Sequence, residues 1–296
     1  CGLSNPIRWR IARLGEATTD GYTLITPDHP GQTLIHVHPD ANELNRVYRT
    51  DIAVNCTTRA FAQLAASIAP PGPPPADWTQ AHAEWIAWST PAPRDGVAMD
   101  VGPCVAAMRA RLAPETTIIC NGAGNFSGWW HRFWHYGGPG TQLAPTAGAM
   151  GYGVPAAVAA ALRCPDKTAV AIAGDGDFLM NGQELATAAQ HGANMIVIII
   201  DNGAYGTIRM HQEREYPERV SGTRLANPDF AALARAYGGW AETVMRTEEF
   251  APAFDRALER GGIRVLHVVT DVEIISHAGT LEQVRQIGQA RAHAPA

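Results

Sequence analysis

Two apolar runs dominate the middle of the chain, Thr168-Ala169-Val170-Ala171-Ile172-Ala173 and Met195-Ile196-Val197-Ile198-Ile199-Ile200, and neither alternates with polar residues. Short continuous runs rich in β-branched residues predict strands buried on both faces, and therefore a parallel sheet covered by helices. Each run stops in a polar, glycine-rich turn: Gly174-Asp175-Gly176-Asp177-Phe178 after the first, Asp201-Asn202-Gly203-Ala204-Tyr205-Gly206 after the second. Between the runs, Leu185, Ala188 and Ala189 make an apolar helical stripe that ends at His191-Gly192. Asn181-Gly182-Gln183-Glu184 predicts an Asn-initiated capping box at the start of that helix.

The same reading extends in both directions. It predicts strands over 33–38, 116–120 and 263–270, helices over 57–68, 78–88 and 101–112, and an amphipathic terminal helix over 280–290. Asn227-Pro228 predicts a further helix start, with Asn as N-cap and proline at the first helical position. Ala69-Pro70-Pro71-Gly72-Pro73-Pro74-Pro75-Ala76 cannot continue a helix or a central strand and predicts a stiff extended linker that divides the chain. No internal repeat is visible.

In a parallel sheet, ligands bind beyond the carboxyl ends of the strands, which puts Asp175 and Asn202 on one edge. A carboxylate and an amide carbonyl together suit a hard cation, and Mg²⁺ takes few protein oxygens because phosphate and water complete its shell. Taken alone, Gly-Asp-Gly is an ordinary turn and Asn202-Gly203 a hairpin signal. Met150, taken alone, is a flexible core filler; its flanking glycines let backbone approach a ligand.

Other chemistry in the chain reads as structural. His36 and His38 share a strand face without a third ligand nearby, and are expected to face the surface or to pack. The cluster Trp129-Trp130-His131-Arg132-Phe133-Trp134-His135-Tyr136 spaces its histidines four apart without the acid of a zinc-protease helix, so core or interface packing comes first and the mouth of a site second. Arg209, Glu213 and Arg214 are expected on a solvated face, with a substrate-carboxylate contact as the functional alternative. Five widely spaced cysteines, without Cys-x-x-Cys, predict reduced structural thiols.

Composition bounds the rest. With 296 residues, 46% hydrophobic and 17% charged, the chain can bury a full core in one large domain or two. A net charge of -5 gives no electrostatic reason for nucleic-acid or membrane binding, and no apolar stretch is long enough to span a bilayer, so the expected location is the cytosol.

Gly-Asp-Gly at 174–176, a helical connection, and Asn202 in a glycine-rich turn together resemble the thiamine-diphosphate motif, closest to its acetolactate-synthase-like branch. Gly148-Ala149-Met150-Gly151-Tyr152-Gly153-Val154-Pro155, Gly206-Thr207-Ile208-Arg209, and Asn227-Pro228-Asp229-Phe230 with Ala236-Tyr237-Gly238 carry the likeness further, over nearly the whole chain from about Arg13. The resemblance implies a doubly wound α/β domain over 77–296 that binds thiamine diphosphate, a partial α/β central domain over 1–69, and the linker at 70–76. It implies Mg²⁺ held by Asp175, Asn202 and the Ala204 carbonyl. Backbone N–H groups of Gly176 and Asp177 would meet the diphosphate, within a cofactor-binding set that also includes Gly174, Tyr205, Gly206 and Thr207. Gly124, Asn125 and Phe126 would line the opposite side. Met150 would wedge between the cofactor rings, and the Gly148 carbonyl would accept from its 4′-amino group. The implied substrate is a 2-keto acid, decarboxylated or ligated, in a homo-oligomer; bound flavin (FAD) is left open without a residue that supports it.

Departures from the family pattern are equally legible. Asp201 stands where the family often has Asn, and His211 stands where acetohydroxyacid synthases carry a Trp that selects the second keto acid. The segment Arg13-Leu14-Gly15-Glu16 resembles the middle of the central domain, whereas 1–10 does not match. The pyrimidine-binding domain, with its activating glutamate, is expected on a missing N-terminal half or a partner chain, which makes this chain a carboxy-terminal fragment, a processed chain or one subunit of a split enzyme. The alternative is a non-catalytic cofactor-binding module.

Overall fold

The computed structural model describes residues 25–31, 33–68 and 77–292. The proline-rich linker, Cys1 and the 13–16 motif lie outside them. The chain divides into two compact units, Cys1–Trp78 and Thr79–Ala296.

The first unit contains a parallel pair, β1 (Ile35–His38) and β2 (Ile52–Asn55), in register from Ile35 opposite Ile52 to His38 opposite Asn55. Helix α1 (Thr58–Ala66) follows, its first turn capped by Thr57 Oγ1, which accepts from Ala60 N at 3.2 Å. His36 and His38 sit on β1 with ring centroids 6.1 Å apart, and His38 Nδ1 accepts from Asp40 N.

Helix α2 (Asp77–Trp88) crosses the boundary between the units. The second unit then runs α3 (Val101–Arg109), β3 (Thr117–Asn121), α4 (Ser127–Phe133), β4 (Gln142–Leu143), α5 (Gly153–Arg163), β5 (Thr168–Gly174), α6 (Asp175–Asn181), α7 (Leu185–His191), β6 (Met195–Asp201), α8 (Gly206–Glu215), α9 (Phe230–Ala236), β7 (Trp240–Val244), α10 (Thr247–Leu258), β8 (Ile263–Val269) and α11 (Leu281–Ala292). Six strands form one wholly parallel sheet in the order β4-β3-β5-β6-β8-β7. β4 and β5 flank β3 on opposite sides, so the chain reverses its direction of travel across the sheet there, and such a reversal opens a crevice beyond the strand ends.

The continuous apolar runs are buried on both faces, as their composition predicts. Ile119, Val170, Ile172, Ile196, Ile198, Ile200, Leu266 and Val268 point to one side, against Val105 and Met108 of α3, Trp130 of α4 and Phe250 and Phe254 of α10. Cys120, Ala169, Ala171, Ala173, Met195, Val197, Ile199 and Val265 point to the other, against Ala157 and Val158 of α5, Leu185 of α7 and Phe230 of α9. Each fully buried Ile or Phe contributes on the order of 1.5–3 kcal/mol, so the two layers lock the strand register on which the site depends. Trp129, Trp130, Phe133 and Trp134 are buried, which places most of the aromatic cluster in the core. Cys104 and Cys120 are buried free thiols, and burial pushes both well above the ordinary thiol range.

Three local expectations are corrected. Asn181 makes no side-chain cap: α6 begins at Asp175 directly after β5 with Gly174 as its N-cap, and Asn181 only precedes the 3-10 turn Gly182–Glu184 that leads into α7. Asn227 is not an N-cap either. Asp229 caps α9 by accepting from Ala232 N at 2.9 Å, which frees the Asn227 amide for contacts across the sheet edge. Glu213 is not on a solvated face; its side chain is 1% exposed and pairs with Arg209 at 2.6 Å and with Arg285 of α11 at 3.0 Å. The four-residue spacing of His131 and His135 does not place them on one helix. His131 lies in α4, whereas His135 lies beyond it and bonds to Ser89 and Arg109. No described helix is long and apolar enough to cross a membrane.

Candidate functional site

A cleft open to solvent, spanning about 680 Å³ with its mouth included, lies at the carboxyl ends of β3, β5, β6 and β8. Its polar side is made by Gly174, Asp175, Gly176 and Asp177 after β5 and by Asn202, Ala204, Tyr205, Gly206 and Thr207 after β6. Gly124 and Asn125, after β3, face them, and Met150 closes the cleft from the loop before α5. Each of these residues was anticipated from the sequence. Gly148, anticipated with them, is not among the lining residues: it adopts a left-handed backbone, φ +67°, and its N–H donates to Pro145 O at 3.1 Å.

The apolar side carries Met99, Val101, Ile200, Ile274 and Ile275, which sequence reasoning missed, beside Trp129, whose cluster was expected to pack first and to line the mouth of a site second. Their apolar signal is that of ordinary core positions, and nothing local distinguishes them. His211 points elsewhere, exposed on α8 with Nδ1 accepting from Arg214 at 2.7 Å.

The turns after β5 and β6 meet at one backbone group. Ala204 N donates to Asp175 Oδ2 at 3.2 Å and to Asn202 Oδ1 at 3.1 Å, so a carboxylate oxygen and an amide oxygen converge there. Ala204 also forms an antiparallel bridge with Arg224 in which the flanking residues make the bonds, Tyr205 N to Thr223 O and Leu225 N to Gly203 O. In that pattern the paired residue's own N–H and C=O both turn away from its partner. The Ala204 carbonyl therefore faces the side of Asp175 and Asn202. Three oxygens of this kind, two neutral and one anionic, are a donor set that fits a hard divalent cation.

Asp175 is 3% exposed, and burial pushes its carboxyl up to about 6 against the hydrogen bonds of Asn227 and the Gly176 N–H. A buried carboxyl with a raised pKa and oxygen neighbours gains when a cation replaces its proton. Asp201, by contrast, is held low. Burial alone would raise it, but hydrogen bonds from His267 Nε2 at 2.8 Å, Gly203 N at 2.9 Å and Asn227 Nδ2 at 2.7 Å outweigh burial.

Asp177, also 3% exposed, turns its side chain inward. Its Oδ1 accepts from Gly151 N at 2.8 Å and Ala123 N at 3.3 Å, and its buried Oδ2 has no hydrogen-bond partner. Burial pushes this carboxyl up to about 6 as well, against those two N–H donors. Gly176 must be glycine for a steric reason: a Cβ there would stand 2.5 Å from the Tyr205 ring, which lies across the first turn of α6. The opposite wall is tied to α8, with Asn125 N donating to Thr207 Oγ1 at 3.0 Å and Asn125 Nδ2 approaching Met210 Sδ at 3.3 Å.

Residues 122–268 match the family described as thiamine pyrophosphate enzyme, C-terminal TPP binding domain. The chain is 30% identical over 247 residues to the acetolactate synthase isozyme 2 large subunit of Escherichia coli (strain K12), covering 82% of this chain and 44% of that protein. It is 40% identical over 148 residues to the acetolactate synthase large subunit of Corynebacterium glutamicum, covering 48% of this chain and 24% of that one. Among solved structures, it is similar to a thiamine diphosphate-dependent 4-hydroxybenzoylformate decarboxylase from Rhodococcus jostii RHA1, with a TM-score of 0.66 and 27% identity, over 82% of this chain and 45% of that one. The matches thus span less than half the length of these relatives.

Proposed function

Since the chain belongs, through residues 122–268, to the thiamine pyrophosphate enzymes, we propose that its cleft holds the diphosphate end of thiamine diphosphate through Mg²⁺ and serves the decarboxylation or carboligation of a 2-keto acid. The observation that carries this reading is the convergence of Asp175 Oδ2 and Asn202 Oδ1 on Ala204 N. Those two side chains and the Ala204 carbonyl would hold the ion. The backbone N–H groups of Gly176 and Asp177, at the start of α6, would face the diphosphate, where free helix N–H groups and the dipole favour anions. The turn Tyr205-Gly206-Thr207 would close one side of the diphosphate, and Gly124 and Asn125 the other.

Met150 would support the cofactor rings from below, and the Gly148 carbonyl would accept from the aminopyrimidine. When bound, the cofactor supplies an electron sink for the carbanion left by loss of CO₂, while the protein supplies position and electrostatics. The apolar wall of Met99, Trp129, Ile274 and Ile275 would exclude water from that region. We assign 77–296 to the cofactor domain, 70–76 to a linker and 1–69 to part of a central domain. The pyrimidine-binding domain would come from another part of the polypeptide or from a partner chain of a homo-oligomer, as the shared half-length with acetolactate synthases suggests.

Calorimetric titration of thiamine diphosphate with and without Mg²⁺ tests the reading. Asp175→Ala is expected to remove the Mg²⁺ dependence and weaken binding by roughly 100-fold or more, since a charged ligand to a hard cation is lost. Equal binding by the unaltered chain with and without Mg²⁺ would refute it.

A further inference from the structure

Helix α6 holds the loop before α5 at two points. Asp177 Oδ1 accepts from Gly151 N at 2.8 Å, and Asn181 Nδ2 donates to Gly151 O at 2.9 Å. The two side chains are four residues apart and therefore stack on one face of the helix. The N–H of Gly151 belongs to the planar peptide unit that begins at the Met150 Cα, and its C=O belongs to the next unit. Both planes flanking Gly151 are thus fixed from α6.

Gly151 itself is held in the left-handed region, φ +82°, and a Cβ there would stand 2.7 Å from both Asn181 Nδ2 and Met180 Cβ. Only glycine fits between the two grips. Asp177 Oδ1 also accepts from Ala123 N at 3.3 Å, so the same carboxylate ties down the loop that carries Gly124 and Asn125 on the opposite wall.

We propose that Asp177 and Asn181 are positioning residues that clamp the peptide planes around Gly151 and thereby set Met150 at its height in the cleft, against the ring portion of the cofactor. The proposal rests on the reading of the cleft as a thiamine diphosphate site. Asn181 reaches the cleft through Gly151, so its effect is confined to the ring end of the ligand, whereas Asp177 also holds, through Ala123, the loop that carries Gly124 and Asn125. Fixing the loop in advance removes an ordering cost that ligand binding would otherwise bear.

The test compares two ligands, each with Mg²⁺: thiamine diphosphate, which has rings, and inorganic diphosphate, which has none. In the 296-residue chain, Asn181→Leu is expected to weaken thiamine diphosphate about tenfold, the worth of about one hydrogen bond, while inorganic diphosphate changes by less than about twofold. Hydrogen exchange at the Gly151 amide should accelerate in the ligand-free variant. If Asn181→Leu does not fold, Asn181→Ala supports the same comparison.

Equal weakening of both ligands, or unchanged thiamine diphosphate affinity, overturns the clamp. Failure of the cofactor reading shows instead in the unaltered chain, as thiamine diphosphate binding no better than inorganic diphosphate. That result would remove the role assigned to Met150, and the clamp's purpose with it.

Discussion

The carboxylates of Asp175 and Asp201 share one hydrogen-bond donor, Asn227 Nδ2, at 2.8 and 2.7 Å. One carboxyl is pushed up and the other is held low, so the amide stands between a group that gives up charge readily and one that keeps it. His267 Nε2 anchors the far side of Asp201 at 2.8 Å, and the chain of contacts runs His267, Asp201, Asn227, Asp175. The sheet edge therefore orients the carboxylate proposed to hold the ion.

Removing that donor has a signed consequence. Asn227→Ala leaves the buried Asp175 carboxylate and the partly buried Asp201 carboxylate without their shared donor, and the loss of a hydrogen bond that lowers the Asp175 pKa raises it further. In the absence of divalent ions, the variant is expected to lose on the order of 2–4 kcal/mol at pH 8, and less at pH 5, where protonated Asp175 no longer repels Asp201. Urea unfolding at the two pH values measures the difference, and equal losses would contradict the shared-donor account.

Met150 should separate binding from chemistry. Met150→Ala leaves the oxygens of Asp175 and Asn202 and the N–H groups of α6 in place, so inorganic diphosphate with Mg²⁺ is expected to bind within about twofold of the unaltered chain. In a catalytically complete assembly, turnover should fall about tenfold or more as the ring end loses its support, a loss of about 1.4 kcal/mol of positioning. Single-turnover decarboxylation of a 2-keto acid reads it out, and undiminished turnover would remove Met150 from the site.

The sheet and the polar half of the cleft were legible because their signals are local. β5 and β6 are unbroken apolar runs, and the turns after them carry Asp175 and Asn202 at strand ends where a parallel sheet presents ligands. Asn181 and Asn227 were misread for a physical reason: an Asx residue beside a helix start has the same local signature whether its side chain caps that helix or crosses to another segment. Only the tertiary contacts, with Gly151 in one case and with two carboxylates in the other, decide it. Glu213 was misread because an i,i+4 Arg–Glu pair looks like a solvated stripe until α11 closes over it. The apolar wall at Met99, Val101, Ile274 and Ile275 was invisible because burial in a core and burial against a ligand require the same side chains.

A pH prediction follows from Asp177. Its folded pKa of about 6 lies above the ordinary 3.8, so between these values the folded chain binds more protons than the unfolded one. The contribution of this carboxyl to stability is therefore highest below about pH 4, falls as pH rises toward 6, and levels off above it. The fall attributable to this carboxyl is on the order of 2–3 kcal/mol. Asp177→Asn cannot ionise and should lose that slope, so urea unfolding of the metal-free chain and the variant at pH 4.5 and pH 7 should give curves that converge at one end and part at the other. Parallel curves would show that the carboxyl is not held as the structure has it.

Glu213 carries the opposite sign. Burial would raise its carboxyl, but Arg285, the Glu218 N–H and Arg209 together hold it below the ordinary range. Its stabilisation is therefore complete above its unfolded pKa and is lost as pH falls through the folded one. Glu213→Gln keeps the shape but removes the charge, leaving Arg209 and Arg285 side by side, with side chains only 15% and 19% exposed. Loss of one partner from a fully buried pair costs about 3–5 kcal/mol; with both arginines partly in water, about 1–3 kcal/mol is expected here. The loss should appear first as faster hydrogen exchange in α8 and α11, which this contact joins, and it should shrink in acid, once the pH drops below the lowered pKa of Glu213 and the unaltered chain loses the charge as well. Because α8 begins with the cleft residues Gly206, Thr207 and Ile208, exchange confined to α11 would instead mean that the terminal helix detaches without disturbing the site.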